Sequence, residues 1–331
     1  MNVACYTIYK GLLNNKLFEV VEDLKFNKDS SERYIALKRF LEAKNIQINT
    51  YDCYDEIKKI DVWLFIDPPY DIYKFIIKNR IGFKKSIMFL IEPPVGNPKF
   101  YKYIYIYFML FKAVLTWNER YLKKGSKFFK FNFPITIEAN KYNYYKNLNK
   151  RNLCLMMHSN RTSSVPGELY SLRRKLIRYF EDRGDKLLDL YGFGWNDDKS
   201  PNPFFSTLYQ GTILDKRQTY AKYYFSFCLD NSILPGYITY DPFISMASGT
   251  VPIYYPMPDA YNYIPENTFI DFSKYESWDN LVLDLKKIVK TGRYEEYRKN
   301  GWEFINSEKF EPFTINRFCN DVYKAILKVK E

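Results

Sequence analysis

The sequence predicts an α/β protein of two Rossmann-like domains, each a parallel sheet covered by helices. Three observations carry this. A chain of 331 residues is too long for one ordinary core and suits two domains. Apolar, strand-length runs alternate with helix-period segments in both halves, an order that implies right-handed crossovers and parallel strands. Between the halves lies a polar, Asn- and Lys-rich stretch, residues 140–151, which reads as a linker. The expected domains are therefore 1–145 and 146–310, followed by a last helix within 311–331.

Nearly half of the residues, 47%, are hydrophobic, as a folded enzyme-sized protein requires. Five cysteines, Cys5, Cys53, Cys154, Cys228 and Cys319, stand singly with no CxxC spacing. That pattern argues for reduced thiols and a cytoplasmic setting rather than a disulfide scaffold or zinc ribbon. The longest apolar run, residues 103–111, is far shorter than the roughly 18 residues a membrane span needs. A net charge of +12 is spread over separate elements, with Lys84-Lys85, Lys123-Lys124, Arg173-Arg174-Lys175 and Lys286-Lys287 in different segments. This dispersal argues against nucleic acid as the partner and leaves peripheral contact with an anionic membrane, or an acidic glycan, as the use of the charge.

In chain order, residues 1–8 read as a strand and 30–44 as a helix, with Ser30 or Ser31 as its cap and Tyr34, Leu37, Phe40 and Leu41 at helical spacing. Strands follow at 47–51 and 61–66, the second ending in Asp67-Pro68-Pro69. A helix at 72–79 leads to a strand at 85–91 that runs into Glu92-Pro93-Pro94. By position alone Glu92 reads as a solvated loop glutamate. Strands at 113–117 and 128–131 complete the first half.

The second half opens with a strand at 153–157, then His158-Ser159-Asn160-Arg161, and a helix at 166–183 stopped by Gly184. His158 is the one histidine, so no multi-histidine metal site exists, and it reads as packed or ligand-adjacent. A strand at 187–191 ends in a glycine turn that is not GxGxxG. The strand at 224–229 is followed by the turn residues Asp230, Asn231 and Ser232, then Pro235-Gly236. Thr239 is the expected cap of a short helix stopped by Gly249 before a strand at 251–255. That helix would bring its N-terminus, a ready phosphate site, to the carboxyl edge of the sheet. Helices at 278–290, 294–305 and 312–330 end the chain.

Three pieces of this half, YYFSFCLDNS, GYITYDPF and SGTVPIYY, stand in the order and spacing of a known signature. They resemble the α1,3/4-fucosyltransferases, glycosyltransferase family ten, in the manner of a divergent bacterial or viral member. The resemblance implies a GT-B fold, two Rossmann-like domains facing across a cleft, with the acceptor side first, the donor side second and the last helix crossing back. It implies an inverting glycosyltransferase that moves fucose or a related sugar from a nucleoside-diphosphate sugar such as GDP-fucose to a glycan acceptor. FLIEPP with the downstream AVLTWNERYL places Glu92 as general base. Asn160, Arg173, Asp230, Asn231, Tyr237, Thr239, Tyr240 and Asp241 fall on the donor-binding positions, with Arg173 on the diphosphate and Arg174 one step away.

The chain departs from the family where Thr-Glu-Lys is expected and Thr239-Tyr240-Asp241 stands. In the family the glutamate holds the ribose and the lysine the phosphates, so the exchange puts a negative charge where a positive one is expected. Asp241 is then a cap of its own helix, or part of a bridge through Mg²⁺ or Mn²⁺ in a family that requires no metal. A donor other than GDP-fucose, and a non-catalytic glycan- or nucleotide-binding relative, are the alternatives this exchange raises.

Overall fold

In a computed structural model the described residues are 1–20, 28–213 and 215–331. The chain forms two compact units, Met1–Thr136 with Pro235–Tyr237 and Pro312–Glu331, and Ile137–Leu234 with Ile238–Glu311.

The first unit holds a six-stranded, wholly parallel sheet in the order β2-β1-β3-β4-β5-β6. Its strands are β1 (Asn2–Tyr6), β2 (Gln47–Thr50), β3 (Val62–Ile66), β4 (Ser86–Leu90), β5 (Ala113–Thr116) and β6 (Phe128–Lys130). The sequences VWLFI and SIMFL are buried at every residue because helices cover both faces of the sheet. Side chains alternate between those faces. Trp63, Phe65, Met88 and Leu90 point to one, where helices Ile72–Lys78 and Ile104–Met109 pack through Ile72, Ile104, Tyr107 and Phe108. Phe89 points to the other, 6.0 Å from the ring of Phe318 in the final helix, Ile315–Lys330. That helix also packs on helix Lys28–Glu42 and belongs to the first unit.

The second unit has a five-stranded parallel sheet in the order β11-β10-β9-β7-β8. The strands are β7 (Asn152–Met157), β8 (Leu188–Tyr191), β9 (Tyr223–Cys228), β10 (Val251–Tyr254) and β11 (Ile270–Asp271). Met156, Phe225, Phe227 and Ile253 face helices Tyr170–Arg183 and Trp278–Lys290 through Leu176, Phe180, Leu281 and Leu285. Ser226, on the opposite face, meets Ser245 of helix Asp241–Ala247, with 2.6 Å between their hydroxyl oxygens. In both sheets the strand order reverses beside the first strand, between β1 and β3 and between β7 and β9. Open α/β sheets bind ligands at the carboxyl ends of the strands flanking such a point.

Several boundaries differ from the sequence expectation. The first helix starts at Lys28, so Ser31 lies inside it, buried, and caps nothing; the Ser30 side chain lies outside the described residues. The final helix starts at Ile315, with the Thr314 side chain accepting from Arg317 N at 3.2 Å, because Pro312 sits in a preceding 3-10 turn. Residues 140–151 are not a linker. Tyr142 stacks on Trp302 at 3.6 Å, and Lys150 Nζ donates to Ala221 O at 2.9 Å and Gly249 O at 3.3 Å, which ties the segment into the second unit. The chain passes between units at Thr136–Ile137 instead.

Candidate active site

In the first unit the candidate chemistry sits past β3 and β4. Because β3 pairs with β4, the residue after one strand end lies beside the loop after the other. Asp67 takes a left-handed conformation, φ 42°, which aspartate tolerates better than most residues. Its Oδ1 accepts the amides of Ile91 at 2.8 Å and Glu92 at 3.0 Å. Glu92 is fixed further by Tyr101 Oη, which donates to Glu92 O at 2.7 Å, and by Trp117 Nε1, which donates to Ile91 O at 2.9 Å.

The Glu92 side chain is half-buried, and its Oε2 is buried with no hydrogen-bond partner. A methyl group on Gly96 would stand 2.6 Å from that oxygen, so glycine there leaves room for the carboxylate. The Asp67 carboxyl is pushed up to about 7, first by burial and then by the Glu92 charge, against the bonds from the Glu92 and Ile91 amides and the charge of Arg33.

In the second unit the sheet's reversal point brings together His158 after β7 and Leu229–Asn231 after β9. His158 Nε2 lies 3.2 Å from Phe227 O and 3.4 Å from Leu229 N. Burial holds the imidazole well below its usual range, with Arg173 and Lys216 adding to it, so the ring is neutral. Its Nδ1 is 3.8 Å from Asp241 Oδ2. Asp230 is 3% exposed; its Oδ1 accepts from Thr239 Oγ1 and its Oδ2 from Tyr254 Oη at 3.3 Å. Burial raises its carboxyl to about 7, the Thr239 bond and Arg173 oppose this, and Asp241 adds to it.

Arg173, 2% exposed, donates to Leu229 O from Nε at 3.0 Å and also from Nη2, and to Asn231 Oδ1 at 3.0 Å. It thus shapes the loop that carries Asp230 and Asn231. Arg174 donates to Asn160 Oδ1 from Nε at 3.1 Å and Nη2 at 2.6 Å, and Asn160 Nδ2 donates to Gly194 O and Asn202 O.

Thr239 does not cap the helix. Helix Asp241–Ala247 begins two residues later, its N-cap Tyr240 makes no side-chain cap bond, and the Thr239 hydroxyl goes to Asp230 instead. Nor does Asp241 cap it. As the first helical residue it puts a carboxylate where a short helix would otherwise favour an incoming anion, and that carboxylate meets Lys216 Nζ at 3.4 Å. Tyr237 lies in the first unit, 3% exposed, its ring 4.6 Å from Trp117 and 5.7 Å from Phe133. Gly236 before it has φ 84°, and a Cβ there would stand 2.2 Å from Trp117 O.

Lys216 is the residue that sequence reasoning missed. It opens helix Lys216–Tyr220, capped by Asp215, and its ammonium lies 5.1 Å from the Tyr240 ring as well as beside Asp241. The Asp215 cap was the one local signal; the 25-residue reach to Asp241 left none. Among the described residues no group of three or more His, Cys, Asp or Glu side chains is placed to hold a metal.

Comparison with known proteins supplies the context for this geometry. The family described as "Glycosyltransferase family 10 (fucosyltransferase) C-term" matches residues 148–325. An α-(1,4)-fucosyltransferase of Arabidopsis thaliana is 29% identical over 85 residues, 24% of this chain and 21% of that protein's length. Among solved structures, an α1,3-fucosyltransferase superposes with a TM-score of 0.59 at 12% identity, covering 99% of this chain and 90% of that one. The same title with GDP-fucose gives 0.54 at 12% identity, covering 98% and 90%. An α-glucosyltransferase in complex with UDP and a 13-mer DNA gives 0.62 at 10% identity, covering 99% of each. At such identities the likeness is one of fold, and the fold is the GT-B type with two Rossmann-like domains. The family match spans more than half of the chain: this protein belongs to glycosyltransferase family 10, the fucosyltransferase family.

Proposed function

We propose that the chain is an inverting glycosyltransferase that moves a sugar from a nucleoside-diphosphate sugar to a glycan hydroxyl, with GDP-fucose as the first donor to test. The observation that carries the reading is the half-buried Glu92 at the end of β4, whose Oε2 has no partner. A buried carboxylate oxygen without a donor is costly, and an acceptor hydroxyl would supply one. Glu92 would take that hydroxyl's proton as its oxygen attacks the anomeric carbon, and the nucleoside diphosphate would leave.

On the donor side, Asn231 and the Leu229 carbonyl are held by Arg173, while Asp230 is held by Thr239 and Tyr254. The Asp241 charge is met by Lys216, so the exchange of lysine for aspartate at position 241 does not leave a lone anion facing the leaving diphosphate. Thermal-shift titration with GDP, UDP, CDP and dTDP, each with and without Mn²⁺, tests the donor, since a ligand of the folded state raises the midpoint by an amount that grows with the logarithm of its concentration over its dissociation constant. Product analysis by anomeric NMR then tests inversion; retained configuration would overturn Glu92 as a simple base.

A second reading, a nucleotide- or glycan-binding relative without turnover, is favoured by Asp241 itself. Calorimetric donor binding with no product under any acceptor would support it.

A further inference from the structure

The first unit carries a surface that the catalytic reading does not use. Helices Ile72–Lys78 and Ile104–Met109 turn Ile72, Ile104, Tyr107 and Phe108 into one core cluster, so they lie on the same side of the sheet. The Tyr107 hydroxyl also donates to Tyr70 O, which joins the two segments. Their outer faces carry large apolar side chains, with Lys74 and Lys78 among them on the first helix. Ile77 is 72% exposed, Met109 69%, Tyr105 61% and Ile106 54%, with Tyr73 and Tyr103 also exposed. Single exposed apolar residues need no explanation, but a cluster of this kind on adjoining helices marks a contact surface.

Charge indicates what covers it. Residues 72–127 hold twelve Lys or Arg against two carboxylates, Glu92 and Glu119, a net +10 of the chain's +12. The positive charge that looks dispersed by element is therefore concentrated in one stretch of the chain, the stretch that includes both helices. Lysines rim the apolar residues: Lys99 Nζ stands 5.6 Å from the Tyr70 ring, Lys102 5.5 Å from Tyr103 and Lys124 4.8 Å from Tyr105. Asp71 is the acidic neighbour on this face, and Lys74 pairs with it at 3.7 Å.

We propose that the outer face of helices Ile72–Lys78 and Ile104–Met109 docks the protein on an anionic lipid surface. Isoleucine and methionine enter the acyl boundary, tyrosines sit at the headgroup level, and lysines reach the lipid phosphates on flexible stems. Nucleic acid fits less well. Ten of the twelve cations are lysines, and exposed aliphatic side chains have no partner among phosphates and sugars. The proposal goes beyond the transferase reading and does not depend on it.

Co-sedimentation of the full chain with vesicles of phosphatidylcholine alone, and of phosphatidylcholine with phosphatidylserine, tests it. Binding is expected to the anionic vesicles and to weaken with added salt. Ile106→Asp with Met109→Asp, and separately Lys99→Glu with Lys102→Glu, should each lower it at least about tenfold. The control pair Lys287→Glu with Lys290→Glu, the same charge change on another helix, should lose much less. All of these positions are exposed, and an unchanged melting midpoint checks that the variants fold. Equal binding by the patch variants and the wild type would overturn the proposal. So would self-association, seen by size exclusion and abolished by the same variants, without vesicle binding. Binding of a single-stranded oligonucleotide in place of vesicles would assign the face to nucleic acid instead.

Discussion

Asp67 Oδ1 accepts the backbone amides of both Ile91 and Glu92, at 2.8 and 3.0 Å, so one carboxylate sets the loop that presents the other. Asparagine keeps an oxygen there and alanine does not. Asp67→Asn should leave the fold intact and remove from the pH profile of turnover the change that ionisation of Asp67 brings as pH passes about 7. Asp67→Ala should also expose the Ile91 and Glu92 amides to hydrogen exchange and cost about 1–3 kcal/mol for each donor left unpaired. Identical pH profiles and exchange in wild type and both variants would reduce Asp67 to a bystander.

Glu92→Gln should retain nucleotide affinity while turnover falls by a factor on the order of 10² to 10⁴. Gly96→Ala tests the same group without altering it. A methyl group at 2.6 Å from Oε2 must displace the carboxylate, so turnover should drop roughly tenfold or more while donor affinity is unchanged. Full activity in both variants would place the base elsewhere.

Lys216→Ala should weaken binding of a nucleoside diphosphate at least severalfold more than that of the nucleoside, since it uncovers the Asp241 charge. Asp241→Asn should strengthen diphosphate binding, and the effect should shrink with salt. The exchange Tyr240→Glu with Asp241→Lys should strengthen GDP binding further. If binding falls in both Asp241 variants, the Asp241 carboxylate itself holds the donor.

Arg173→Ala removes a guanidinium from Leu229 O and Asn231 Oδ1. The expected outcome is a stability loss of about 3 kcal/mol by denaturant titration, accompanied by equal weakening of nucleoside and diphosphate binding. A selective loss of diphosphate binding at unchanged stability would instead put Arg173 on the phosphates.

Asp230 provides a pH test. Its carboxyl, raised to about 7 in the folded chain, holds a proton that the unfolded chain releases near pH 4, so its ionisation removes stability as pH rises between those values. Asp230→Asn should remove that slope, and thermal midpoints at pH 5 and pH 7 should therefore lie closer together than in wild type, a difference worth on the order of 1 kcal/mol or more. His158, held neutral, slopes the opposite way below its ordinary range, so the variant must be compared with wild type at each pH. An unchanged difference between the two midpoints would mean that Asp230 is ionised throughout.

Strands β1 to β10 were legible, most plainly where a strand covered on both faces must be apolar throughout, as in VWLFI and SIMFL; β11, two residues long, was not. Glu92 was singled out by the family resemblance of FLIEPP rather than by its position, and the family by motifs at residues 223–255. Strand order has no periodic signature, and it decided the rest. Pairing of β3 with β4 brings Asp67 to Glu92, and pairing of β7 with β9 brings His158 to Leu229, 71 residues away. The same holds for Lys216 beside Asp241, for Thr239 turned to Asp230 rather than to its helix, and for Tyr237 packed on Trp117 in the first unit. Residues 140–151, polar enough to read as a linker, were drawn into the second unit by Trp302 and by two backbone carbonyls that only the folded chain places within reach of Lys150.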